Sequence, residues 1–154
     1  MENTMKHKYQ AYSSATQTVA KTQQIVMLYD GAIRYIQQAK EAIRERRIED
    51  RYHLLIKASE IIVGLQACLD FENGQQIAKI LYQFYASIDT RMFTIHRTNS
   101  IESCDEIIAE LKQMRDVWQE IDKSTDNSAS TAAAENAPAS NTSDSGIDPV
   151  TLSA

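Results

Sequence analysis

No proline occurs before position 138, and only Gly31, Gly64 and Gly74 interrupt the 137 residues ahead of it. Proline and glycine are the residues that end helices and populate β-turns, so a stretch this poor in both favours long helices over a turn-rich β fold. Length adds a second limit. A chain of 154 residues holds one domain plus a tail, and its 43% hydrophobic content suffices for one packed core.

Hydrophobic spacing divides the chain into four amphipathic segments. The first begins near Val19 or Lys21 and reaches Glu45, with Ile25, Leu28, Tyr29, Ala32, Ile36, Ala39 and Ile43 three or four residues apart. The second covers about Glu49–Leu69 and carries Leu54, Leu55, Ala58, Ile61, Ile62, Leu65, Cys68 and Leu69 on one broad side. Asn73-Gly74 supplies residues tolerant of positive φ and is expected to turn the chain into a third segment, about Gln75–Arg97. Its apolar set is Ile77, Ile80, Leu81, Phe84, Ile88, Met92 and Ile95. The fourth is expected to open with a capping box at Ser103–Glu106 and to continue through Leu111, Met114, Trp118 and Ile121. Short connections predict antiparallel neighbours, and so an all-α, up-down four-helix bundle over residues 18–122. Residues 1–17 read as a polar N-terminal arm. Residues 123–154, rich in Ser, Ala, Thr, Asn and Asp and free of aromatics, read as a disordered, low-complexity tail.

Charge narrows the function classes. The formal net charge is −5, of which −3 falls on residues 123–154, leaving the bundle near neutral and without the basic face that nucleic-acid binding needs. The densest basic run, Arg44–Arg51, is interleaved with Glu45, Glu49 and Asp50 and reads as a solvated face. No apolar stretch reaches the length of a secretion signal or a membrane span, and Cys68 and Cys104 lack any CxxC spacing. A reducing, cytoplasmic setting without membrane insertion is expected.

Catalytic chemistry finds little to use. The three histidines, His7, His53 and His96, sit in no nucleophile–base pattern. Asp50-x-x-His53 is half of the Glu-x-x-His element of di-metal bundles, and no second copy exists. Asp30-Gly31 follows no strand and is no phosphate loop. The expectation is a binding protein with no enzymatic activity, no metal and no cofactor.

The string Met27-Leu28-Tyr29-Asp30-Gly31-Ala32-Ile33 resembles the first-helix signature of the flagellar secretion chaperone family (FliS). The resemblance extends over about residues 9–120. It includes Gln38–Ile43, the Leu69–Tyr85 passage with Gly74-Gln75-Gln76-Ile77-Ala78-Lys79, and Trp118 near the end of the fold. The chain departs from the family at Thr18-Val19-Ala20-Lys21, where a Thr-Ala-Ser-Pro-like start is usual, and at His96, where Asn is common. The resemblance implies an antiparallel helical bundle that binds the C-terminal helical segment of flagellin in the cytoplasm. It further implies that the chaperone prevents premature polymerisation and assists delivery to the flagellar export gate. The rival reading is a non-catalytic helical adaptor or homodimer with an unrelated partner.

Candidate groove residues are the apolar side chains beyond the needs of one bundle core: Tyr29, Ile33, Ile62, Leu65, Leu81 and Tyr85. Each is equally readable as core. Gly31, mid-helix, costs about 1 kcal/mol relative to Ala and so marks a close approach by another helix, from the bundle or from cargo. Tyr9 and Tyr12 are the large aromatics of the arm. By resemblance they match positions that cover the cargo groove or contact the export machinery, and stapling the arm to the bundle is the alternative.

Overall fold

A computed structural model describes the backbone of residues 2–135, and side chains from Lys21 onward except Ala133. Four helices follow in order: α1 Glu2–Arg44, α2 Ile48–Ala67, α3 Phe71–Thr98 and α4 Ile101–Glu135. Three-residue and two-residue connections join them, so each helix runs antiparallel to the next. α1 packs broadly on α2 and α4, α2 packs on α3, and the α3–α4 edge is the least closed of the four. The expected all-α bundle is the fold observed. Among the described residues no helix is long and apolar enough to cross a membrane.

The core is the meeting of the four apolar stripes. Tyr29, Ala32, Ile36 and Ala39 of α1 face Leu55, Ala58 and Ile62 of α2, Ile88, Met92 and Ile95 of α3, and Cys104, Ile107 and Leu111 of α4. Burying each branched aliphatic contributes about 1.5–3 kcal/mol. Alanines at 32, 39, 42 and 58 let the helix axes approach closely. Ion pairs between helices set register at the surface: Lys40 to Asp105 at 2.6 Å and Arg115 to Asp30 at 2.9 Å join α1 and α4. Exposed pairs of this kind contribute about 1 kcal/mol or less each.

Helix ends differ from the sequence reading in four places. α1 starts at Glu2 rather than near Val19, because nothing between Glu2 and Gly31 breaks a helix. The backbone of the expected arm is thus continuous with the first helix. The positive φ expected at Asn73-Gly74 falls instead on Gln75 (φ 43, ψ −117), and α3 is counted from Phe71 with a kink at Gln75. The cause is Asp70, whose Oδ1 accepts the amides of Glu72 and Asn73 at 3.0 and 3.1 Å and starts a helical turn before the kink. Those donors hold the Asp70 carboxyl below the usual carboxylate range.

α4 starts two residues before the expected capping box. Asn99 closes α3 in the left-handed conformation (φ 51), leaving Ser100 to cap, and its Oγ accepts the Ser103 amide at 3.1 Å. At its other end α4 passes Asp122 and continues to Glu135. Ser124, Thr125, Ser128 and Thr131 each donate a hydroxyl to the carbonyl four residues back, at 2.8–2.9 Å, which satisfies them within the helix. The remainder of the expected tail, 136–154, lies outside the described residues.

Candidate partner-binding site

The open edge of the bundle lies between the first half of α3 and the second half of α4. On α3, positions 77, 80, 84 and 91 follow one another at helical spacing and share a face. Arg91 points that face at α4: its Nη1 donates to Glu110 at 2.8 and 2.9 Å, and its Nη2 lies 3.5 Å from Glu106. On α4, positions 110, 114, 117, 121, 124 and 128 form the matching row. Below the Arg91 clamp the side chains of the two rows are exposed, as the sparse α3–α4 packing allows. Ile77 is 68% exposed, Ile80 55% and Val117 54%, and Ile121 is exposed as well. A shallow trough of about 570 Å³ runs along α4 itself, lined by Val117, Glu120, Ile121, Ser124, Thr125 and Ser128. Branched aliphatics exposed on neighbouring helices beside such a trough offer an apolar surface to a partner segment.

Phe84, Met114 and Trp118, all half-buried, connect this groove to the core. Behind them the Tyr29 and Tyr85 hydroxyls hydrogen-bond at 2.6 Å. Burial drives both phenols above their ordinary pKa, and for Tyr29 the bond to Tyr85 adds to the rise. The Trp118 indole N–H stands by the Tyr29 hydroxyl and pulls its pKa the other way, without reaching full hydrogen-bond geometry.

The sequence-predicted residues fall in three groups. Tyr29, Tyr85, Ile33, Ile62 and Leu65 are buried members of the core cluster, and Leu81 is half-buried against it. A partner reaches the five only if helices part. Gly31 is buried, and a Cβ there would stand 3.3 Å from Ile61 Cδ1, so the close approach is made by α2. The side chains of Tyr9 and Tyr12 lie outside the described residues. The groove residues Ile77, Ile80, Val117 and Ile121 were not among the nominees. Their signal was present in the width of the α3 stripe, which is too broad for one buried face.

A second apolar strip follows the α2–α3 seam. Tyr52 packs on His96 with ring centroids 5.2 Å apart, Phe93 lies at 6.3 Å from His96, and Phe71 packs on Tyr82 at 5.9 Å. Burial and the nearby Arg51 hold the His96 imidazole below its ordinary pKa. Arg51, itself buried, donates to Asn99 Oδ1 and fastens α2 to the α3 cap.

Polar groups are dispersed. Among the described residues no three of His, Cys, Asp and Glu gather in a metal-binding cluster. Asp50 is held by Arg47, and the exposed His53 faces Glu49 at 3.8 Å. Cys68 is exposed and Cys104 buried; burial raises the Cys104 thiol to about 11.

Comparison with known proteins gives a consistent result. Residues 5–125 match the family described as "Flagellar protein FliS". The flagellar secretion chaperone FliS of Campylobacter jejuni is 29% identical over 114 residues, 73% of this chain and 89% of that protein. The Vibrio cholerae flagellar secretion chaperone FliS is 31% identical over 97 residues, 63% of this chain and 71% of its own length. The flagellar secretion chaperone FliSB of Pseudomonas aeruginosa is 30% identical over 97 residues, 63% of this chain and 77% of its own.

Proposed function

Because the chain belongs to the FliS family of flagellar secretion chaperones, we propose that it binds the C-terminal helical segment of flagellin in the cytoplasm, blocks premature polymerisation and assists delivery to the flagellar export apparatus. The observation that supports this reading is the sparsely packed α3–α4 edge, with Ile77 and Ile80 exposed on α3 and Val117 and Ile121 exposed on α4.

The physics follows from what a filament subunit exposes. A helix that pairs in the filament presents an apolar stripe, and in a monomer that stripe favours assembly. A groove with apolar walls accepts such a stripe at i, i+3, i+4 and i+7 anchors. A segment that orders on binding loses conformational entropy, so a large contact surface yields moderate affinity. That suits a cargo that must be released at the export gate. No step in this cycle calls for catalysis or a cofactor.

Tyr9 and Tyr12, on the resemblance, serve the export machinery or the groove. Removing residues 1–15 is expected to preserve the helical fold and to change flagellin binding or self-association. The test of the main reading is direct titration of the full chain with the C-terminal helical segment of the same organism's flagellin. A complex is expected in the micromolar range or tighter. Absence of a complex at tens of micromolar would turn the reading toward an adaptor or homodimer with another partner.

A further inference from the structure

A cavity of about 290 Å³ lies between the α1–α2 turn and Asn99, the residue that caps α3. Among the described residues that line it are three guanidiniums, those of Arg46, Arg47 and Arg51, and no carboxylate. Arg47 is neutralised, held by Glu45 at 2.6 Å and by Asp50. Arg46 and Arg51 pair with no carboxylate among the described residues. Arg51 is nevertheless only 7% exposed. Its Nη1 donates to Asn99 Oδ1, and its Nε is buried without an acceptor. We propose that this cavity binds a phosphate dianion, with Arg46 and Arg51 as the residues that hold it.

Charge and shape point to this class of ligand. A buried guanidinium without a counter-ion is costly, and a bound anion removes that cost. Two uncompensated cations match a dianion better than they match a single carboxylate. With Nη1 committed to Asn99, Arg51 keeps its Nε–Nη2 edge, the side from which a guanidinium grips two oxygens of one phosphate. The Ile43 and Ala42 carbonyls already accept the amides of Arg46 and Arg47, at 3.1 and 2.8 Å. Ile48, the first residue of α2, also lines the cavity, and α2 has no side-chain cap at that end. A helix start of this kind favours an anion, and the first-turn carboxylates of Glu49 and Asp50 are not in the lining. Many water volumes fit in the cavity. Ala42, Ile43 and Ile48 therefore leave an apolar wall for a small organic group, so the phosphate is free or belongs to a small monoester. An occupant would touch α1, α2 and the α3 cap together, stabilising the bundle because only the folded chain forms the site. None of this depends on the identity of the cargo.

The test titrates the full chain with sodium phosphate in chloride buffer of fixed ionic strength, at about pH 8, above the second ionisation of phosphate. Saturable amide NMR shifts at Arg46, Arg47, Ile48 and Asn99 are expected, together with a rise in melting temperature. Arg46→Gln, at an exposed position, should weaken phosphate binding about tenfold. Arg51→Lys, which keeps the charge and loses the fork, should weaken it as well. Arg34→Gln, an exposed arginine three turns away on α1, should leave it unchanged. Tighter binding of ribose 5-phosphate than of inorganic phosphate would uphold the site with an ester as occupant. Equal or weaker binding of the ester would uphold it with the free anion. Acetate binding as tightly as phosphate would overturn the dianion assignment. Shifts that grow linearly with phosphate, or that Arg46→Gln leaves unchanged, would overturn the site itself.

Discussion

Tyr29 and Tyr85 join their hydroxyls at 2.6 Å inside the bundle, linking α1 to α3 across its diagonal. Their rings lie 6.3 Å apart at 44°, so the link is polar at its tip and aromatic along its length. Helices on a diagonal have few direct contacts, and this pair supplies one within the core.

Removing either hydroxyl strands the other in a buried setting. Tyr29→Phe and Tyr85→Phe are each expected to cost about 1–3 kcal/mol, while the double variant costs less than their sum. Urea unfolding of the four-member cycle checks this. Strict additivity would mean that the two hydroxyls do not act as a pair.

The same pair sets an alkaline limit. Both phenols have folded-state pKa values above the ordinary ~10. A group whose pKa is raised on folding contributes stability below its unfolded value and loses it as pH rises toward the folded one. Stability should therefore fall from about pH 10 upward, and the fall should be shallower in Tyr29→Phe/Tyr85→Phe. Denaturation midpoints at pH 8, 10 and 11 read it out, and ultraviolet titration should leave two phenols un-ionised until the chain unfolds.

Glycine substitutions separate packing from propensity. A Cβ at Gly64 meets nothing within 4 Å, so Gly64→Ala should stabilise by about 0.5–1 kcal/mol. At Gly31 the new methyl stands 3.3 Å from Ile61 Cδ1 and displaces it, so Gly31→Ala should gain less or lose. Thermal melting of both variants gives the order, and a larger gain at Gly31 would contradict the packing described.

The groove residues should matter for binding and little for folding. Ile77→Ser and Ile121→Ser each remove an exposed aliphatic anchor and should weaken the flagellin segment about tenfold, a loss of roughly 1.4 kcal/mol. Melting temperatures should stay within a few degrees of the parent. Phe93→Ser, 77% exposed on the α2–α3 seam, is the control and should change neither.

Much of this architecture was legible because helical periodicity is a one-dimensional signal. Ile36, Ala39, Leu55, Ile62, Ile88 and Leu111 declare their burial by spacing alone. What spacing does not encode is the distance to the neighbouring helix. Ile77 and Ile80 continue the stripe of Ile88 and Met92 without interruption, yet the former face water along the sparsely packed α3–α4 edge. For the same reason Tyr29 and Tyr85 read as surplus groove residues although the interior holds them. Helix ends were hidden by a different cause. Asp70 and Asn99 act through single side-chain and φ choices that periodicity does not register.

The Arg91 clamp is, mechanically, a fulcrum. The turn joining α3 to α4 and the Arg91–Glu110 bridge pin one end of the pair. Ile77 lies fourteen residues from that pin, about 20 Å along the helix. A tilt of roughly 10° about Arg91 moves the far end by about 3–4 Å at this lever length, while the packing around Ile95 and Cys104 barely changes. Leverage of this kind is set at the hinge and felt at the tip, so a charge change at Glu110 should change the spacing of α4 from Ile77 more than its spacing from Ile95.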